Sequence, residues 1–137
     1  MFDSSKTNYL ANLNLLDPLL FASQINIVGD EVIFNNYNEQ TAGLATFGLD
    51  ETINFVSMLT FTANVDNGRF IPVMSGNNID YLTNEVGITN KYGFIFPNNL
   101  SLDELDFTTW GLSFTGSVLD LSVVEVTNTN ILNREEQ

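Results

Sequence analysis

The 137-residue chain contains neither cysteine nor histidine. Without thiols there is no disulfide framework, no thiolate metal centre and no thiol nucleophile. Without imidazole, both the commonest general base and the commonest zinc ligand are missing, which excludes histidine-dependent triads and zincin chemistry. Basic residues are nearly absent: Lys6, Arg69, Lys91 and Arg134 stand against 17 acids, for a formal net charge of −13. Phosphate backbones are held by clustered cations, so this balance argues against nucleic acid as a partner, and against anionic membrane surfaces on the same ground. No apolar run approaches the roughly 20 residues of a membrane span. The opening Met1-Phe2-Asp3-Ser4-Ser5-Lys6 lacks the charged-then-apolar layout of a secretion signal. No Gly-rich phosphate loop ending in GK[ST] is present, and Gly43, Gly48 and Gly111 stand singly.

What is present is core-forming material. Hydrophobic residues make up 44% of the chain and include 11 phenylalanines, against 15% charged residues, which is ample for a folded core of this length. Short β-branched and aromatic runs separated by Gly, Asn and Asp predict an all-β antiparallel sandwich. Residues 24–28 and 31–34 flank Gly29-Asp30, a two-residue hairpin loop whose glycine suits the positive φ of a type II′ turn. Ile25, Ile27, Val32 and Phe34 supply its alternating side chains. A long mid-sheet strand is expected over residues 52–63, with Ile53, Phe55, Leu59, Phe61 and Ala63 on one face.

Asn67-Gly68 reads as a hairpin returning through residues 69–74, with Pro72 suggesting an edge strand. Gly76-Asn77-Asn78 reads as a turn, residues 92–96 as a strand stopped by Pro97-Asn98-Asn99, and residues 101–105 as one helical turn with Ser101 and Glu104 as a capping box. Two further strands are expected over residues 108–114 and 118–126, joined through Thr115-Gly116-Ser117. Trp110, Leu112 and Phe114 line one inward face, and Leu119, Leu121 and Val123 the other. A β-bulge near Val123 would reset the alternation there. Domain organisation follows: residues 1–22 as an N-terminal arm or first strand region, 23–127 as the sandwich, and 128–137 as a polar tail.

Candidate sites come from local chemistry. Asn77, Asn78, Asp80 and Tyr81, with Tyr92, combine amides, a carboxylate and aromatic rings, the groups that hydrogen-bond sugar hydroxyls and cover a pyranose face; turn chemistry explains the same loop. Tyr9, Leu10, Leu13 and Leu16 form an apolar stripe that fits either the chain's own core or an arm reaching a neighbouring subunit. Asp17, Asp50, Asp66, Asp120 and Glu125 offer hard oxygens but no EF-hand spacing, so no metal and no cofactor is expected. Asp103, Glu104 and Asp106 read as a solvated connector in preference to a glycosidase carboxylate pair.

Asn14-Leu15-Leu16-Asp17-Pro18, the run Ile53-Asn54-Phe55-Val56-Ser57-Met58-Leu59-Thr60-Phe61-Thr62-Ala63, and Trp110-Gly111-Leu112-Ser113-Phe114 leading into residues 119–126 resemble carbohydrate-binding-module-type jelly rolls of the kind found in bacteriophage structural proteins. Asn64 stands where that family often has a lysine. The resemblance implies a jelly-roll sandwich, a non-enzymatic role in a virion as capsid decoration, head fibre or tail component, and other virion proteins as partners. It also implies homo-oligomers, often trimers. The alternative it carries is a carbohydrate-binding module or lectin recognising a cell-surface glycan.

Overall fold

The computed structural model describes residues 8–17, 24–74, 77–78, 85–97 and 102–126, with only the backbone of Ala42, Asn77 and Asn78. Among these residues nine strands are formed: β1 (Ile25–Val28), β2 (Glu31–Tyr37), β3 (Ala45–Ile53), β4 (Ser57–Gly68), β5 (Ile71–Met74), β6 (Asn77–Asn78), β7 (Gly87–Ile95), β8 (Leu102–Thr108) and β9 (Phe114–Glu125). One short helix, α1 (Glu39–Ala42), follows β2 and is capped by the Asn38 side chain, which accepts from the Gln40 amide. The strands build a five-stranded sheet in the order β1-β2-β9-β4-β7 and a four-stranded sheet in the order β3-β8-β5-β6. All pairings are antiparallel.

The pairings nest. β5 pairs with β6, β4 with β7, β3 with β8 and β2 with β9, so β2 to β9 form one long antiparallel ribbon folded over on itself. Successive turns of the ribbon fall in alternate sheets, which is the jelly-roll arrangement of two antiparallel sheets. The sheets bury a common interior of Val32 and Phe34 from β2, Leu59, Phe61, Ala63 and Val65 from β4, Phe47 from β3 and Phe107 from β8. Phe70 lies at its centre, with its ring centroid 4.7 Å from Phe114, 5.2 Å from Phe107 and 5.8 Å from Phe61. Such tilted and edge-on ring contacts add to the area term that drives burial. Tyr37 is fully buried and its hydroxyl is satisfied twice, donating to the Phe107 carbonyl at 2.6 Å and accepting from the Ala45 amide at 2.8 Å.

The first hairpin forms as its residues dictate, with Ile25 opposite Phe34, Ile27 opposite Val32, and Gly29 at φ 64 in the turn. Several local expectations are corrected. The run over residues 52–63 is two strands in different sheets: β3 ends at Ile53, the chain bends, and β4 starts at Ser57, leaving Phe55 62% exposed. Asn67-Gly68 closes no hairpin, because β4 and β5 belong to opposite sheets. Gly68 has φ 85 and lies so close to the Ser113 carbonyl that a Cβ would collide with it, so the glycine serves a crossover between layers. β5 is flanked by β8 and β6, but β6 pairs only with Val73 and Met74, one step past Pro72. Asn77 and Asn78 are strand backbone, not a turn.

Leu102, Leu105 and Phe107 belong to β8, so residues 102–105 are extended and not helical; three buried apolar side chains outweigh the capping-box pattern. Trp110 and Leu112 lie in the β8–β9 loop, 54% and 51% exposed, so of the expected inward set only Phe114 is buried. β9 does contain a bulge near Val123, at Asp120 and Leu121: between the pairs Thr60↔Ser122 and Thr62↔Leu119, β9 holds one residue more than β4. Phe114 and Val118 face inward before it, Leu121 and Val123 after it, and Leu119 faces out.

Residues 8–17 lie against the sandwich. Tyr9 and Leu10 are buried in the core, with Leu13 and Leu15 packed on it, while Leu16 is 46% exposed. The Tyr9 amide donates to the Val123 carbonyl at 2.9 Å, and the Asn8 side-chain oxygen accepts from the Val123 and Leu10 amides. Further on, Leu16 donates to Thr46, Gly48 donates to Asn14, and Leu15 bridges Phe47, so the segment covers the free edge of β3. Intrachain burial thus accounts for Tyr9 and Leu10.

Candidate binding surface

Alternation along β7 sends Ile95 and Gly93 inward and Ile88, Asn90, Tyr92 and Phe94 outward. Phe96, just beyond the strand, continues the outward row. Ile88 is 75% exposed, Tyr92 55%, Phe94 42% and Phe96 58%. The Tyr92 and Phe94 ring centroids are 6.4 Å apart and those of Phe94 and Phe96 6.5 Å, so the three rings form a row along the strand. Val56, half-exposed, lies at the β4 end of this face, its carbonyl accepting from the Val126 amide. Among the described strands β7 pairs with β4 alone and ends its sheet.

Beside the aromatic row is a shallow depression of about 230 Å³ lined by Thr60, Thr62, Asn90, Lys91, Tyr92 and Asp120. Each side chain has a positional cause. Thr60 and Thr62 are the outward residues of β4 between buried Leu59, Phe61 and Ala63. Asn90 stands opposite Thr62, whose hydroxyl donates to the Asn90 side-chain oxygen at 2.9 Å. Asp120 enters because the β9 bulge holds it at φ 55. Hydroxyl, amide, carboxylate and one aromatic face are thereby gathered on the five-stranded sheet.

A second exposed aromatic, Trp110, is held by other means. The Glu39 carboxylate accepts from the Trp110 and Thr109 backbone amides at 2.8 and 3.2 Å, and the Asn38 side-chain Nδ2 donates to the Gly111 carbonyl. The Arg69 guanidinium lies 5.8 Å from the indole centroid. These contacts hold Trp110 at φ 50, a left-handed conformation uncommon for a bulky residue.

Of the residues singled out from sequence, Tyr92 belongs to the depression, with Thr60, Thr62, Asn90 and Asp120 as neighbours that sequence reasoning did not select. Asp80 and Tyr81 lie outside the described residues, and Asn77 and Asn78 are in β6 of the other sheet. Among the described residues no three acids gather where a metal ion could be held, and no helix is long and apolar enough to cross a membrane. Asp103 and Glu104 are exposed on β8, whereas Asp106 is half-buried and accepts from the Thr46 hydroxyl at 2.7 Å. Burial pushes the Asp106 carboxyl above the usual carboxylate range, and the Thr46 hydrogen bond opposes that in part. Burial likewise raises the Tyr37 phenol, which is an uncharged hydrogen-bonding group in the core. No protein-family model and no curated protein matches this sequence.

Proposed function

We propose that this protein is a non-enzymatic structural subunit of a virus particle, a decoration, head-fibre or tail-associated sandwich that binds other virion subunits and copies of itself. The observation that carries the reading is the exposed row Ile88, Tyr92, Phe94 and Phe96 on a sheet edge with no further strand among the described residues. Contiguous apolar surface of this kind on an otherwise acidic chain marks a site that meets another macromolecule. The resemblance to phage jelly rolls supplies the virion context. Particles banded on a density gradient and analysed by quantitative mass spectrometry should carry the chain at a fixed ratio to the major capsid protein. A chain left entirely in the unbound fractions would overturn the reading.

The Tyr92 depression favours a second reading, a glycan-binding module. Its hydroxyls, amide, carboxylate and ring match the hydrogen-bonding rim and apolar face of a sugar. Saturable binding on a glycan array, lost in both Tyr92→Ala and Asp120→Ala, is the expected outcome there. Absence of any saturable signal removes this reading and leaves the first standing.

A further inference from the structure

We infer that β7 is a self-pairing edge, at which a second copy of this chain adds its own β7 antiparallel to join two five-stranded sheets into one of ten; this rests on the assembly reading above and names its partner. β7 pairs with β4 at nine successive positions from Val65↔Gly87 to Ser57↔Ile95 without a register shift, so it is a long and regular template. Natural edge strands are commonly blunted by charge, proline, bulges or cover. β7 contains Lys91, on the parity of inward Gly93 and Ile95, but among the described residues no proline, bulge or covering segment, while β1 has four residues and β3 is covered by residues 8–17.

Charge selects the occupant. Two copies at −13 each repel, and an approach of their strands to about 4.8 Å is least opposed where acids are absent. Residues 86–102 are the longest acid-free run in the chain, and residues 52–65, which include the β4 segment beside β7, are acid-free as well. A basic partner would be drawn to the acidic faces and would find no carboxylate on this strand.

The sequence of β7 is also self-complementary. A twofold axis at Tyr92 sets Tyr92 against its symmetry mate, Phe94 against Asn90, and Ile88 against Phe96, all on the outward face, and sets Lys91 opposite Gly93 so that no like charges oppose. Aromatic and β-branched side chains in directly opposed positions are the pairs that stabilise antiparallel sheets. Such an isologous contact closes on itself, giving dimers and not the trimers that the family resemblance implies.

The absence of cysteine makes the register testable. Light scattering and sedimentation of the full chain, from low micromolar to near-millimolar concentration, should show the mass doubling, with the transition moving to lower concentration as salt screens the acids. Ile88→Lys and Phe96→Lys should hold the chain at monomer mass, and Val28→Lys, on the exposed edge strand β1, should leave dimerisation unchanged. Under mild oxidation Tyr92→Cys should give a covalent dimer at least about tenfold faster than Asn90→Cys, whose symmetry mate lies roughly 13 Å away in this register. A wild-type chain monomeric throughout, loss of the dimer in Val28→Lys but not Ile88→Lys, or equal cross-linking at positions 90 and 92 would each overturn the pairing. A monomeric chain found in particles would sink the pairing and spare the assembly reading; a dimer absent from particles would do the reverse.

Discussion

β3 and β7 are both nine-residue strands at the ends of their sheets, and the molecule treats them in opposite ways. β3 contains Asp50 and Glu51, loses register against β8 between Gly48 and Ile53, and has its outer side hydrogen-bonded by residues 8–17. β7 is straight in register, free of acids and, among the described residues, uncovered. An edge can be closed by bending it, charging it or laying chain along it, and this fold uses all three on one side. The contrast is informative because hydrophobicity alone does not distinguish the two strands. Among the described residues, what differs is whether the same molecule supplies the missing hydrogen-bond partners.

The comparison breaks first at Leu10, which anchors the covering segment. Leu10→Ala should lower stability by about 2–5 kcal/mol in urea unfolding and speed amide exchange along β3. Ile88→Ala on the bare edge should change monomer stability by less than about 0.5 kcal/mol at low protein concentration. Equal losses at the two positions would erase the distinction. Next is Tyr37→Phe, which removes the hydroxyl joining the start of β3 to β8 and leaves a buried amide and carbonyl unpaired; a loss of about 2 kcal/mol is expected, read as a lower denaturation midpoint with unchanged slope.

Asn8→Ala sharpens the same point more gently. It deletes the acceptor for the Val123 and Leu10 amides, and about 1 kcal/mol should be lost, with faster exchange at the Val123 amide. The smallest effect is expected at Asp106, across from Thr46 of β3. Its folded pKa lies above that of the unfolded chain, so its contribution is fully present below the ordinary carboxylate range and is lost as pH rises through the folded value. Asp106→Asn should therefore raise the melting temperature at pH 7, with the gain shrinking on acidification. A gain that grows as pH falls would contradict the assignment.

Strand content, the first hairpin and the inward residues of β4 were legible because each rests on period-two alternation within one strand. Layer changes were not. Residues 52–63 keep their alternation through the bend at residues 54–56, so sequence shows one strand where the fold has two. At residues 101–105 a capping-box pattern coincided with Leu102 and Leu105, and tertiary burial prevailed over local propensity. Trp110 alternates with Leu112 and Phe114 in sequence, but the Glu39 carboxylate, 71 residues distant, holds its backbone outside any strand. At the candidate surface Tyr92 was visible as an aromatic on a strand. Thr60, Thr62 and Asp120 became its neighbours only through the β4–β7 register and an extra residue in β9, neither of which has a local signature.

The nested ribbon also fixes an order of events as the polypeptide is made. β9, the last of the described strands to emerge from the ribosome, occupies the middle of the five-stranded sheet between β2 and β4. Until it arrives, the β1–β2 and β4–β7 pairs have no strand to link them, and their inner faces stay wet. Short loops close early and distant pairings late, so the β5–β6 contact is available first and the β2–β9 seam last. Nascent chains halted before Phe114 should therefore remain protease-sensitive, and acquisition of the native fold should be a single late step after β9 is released.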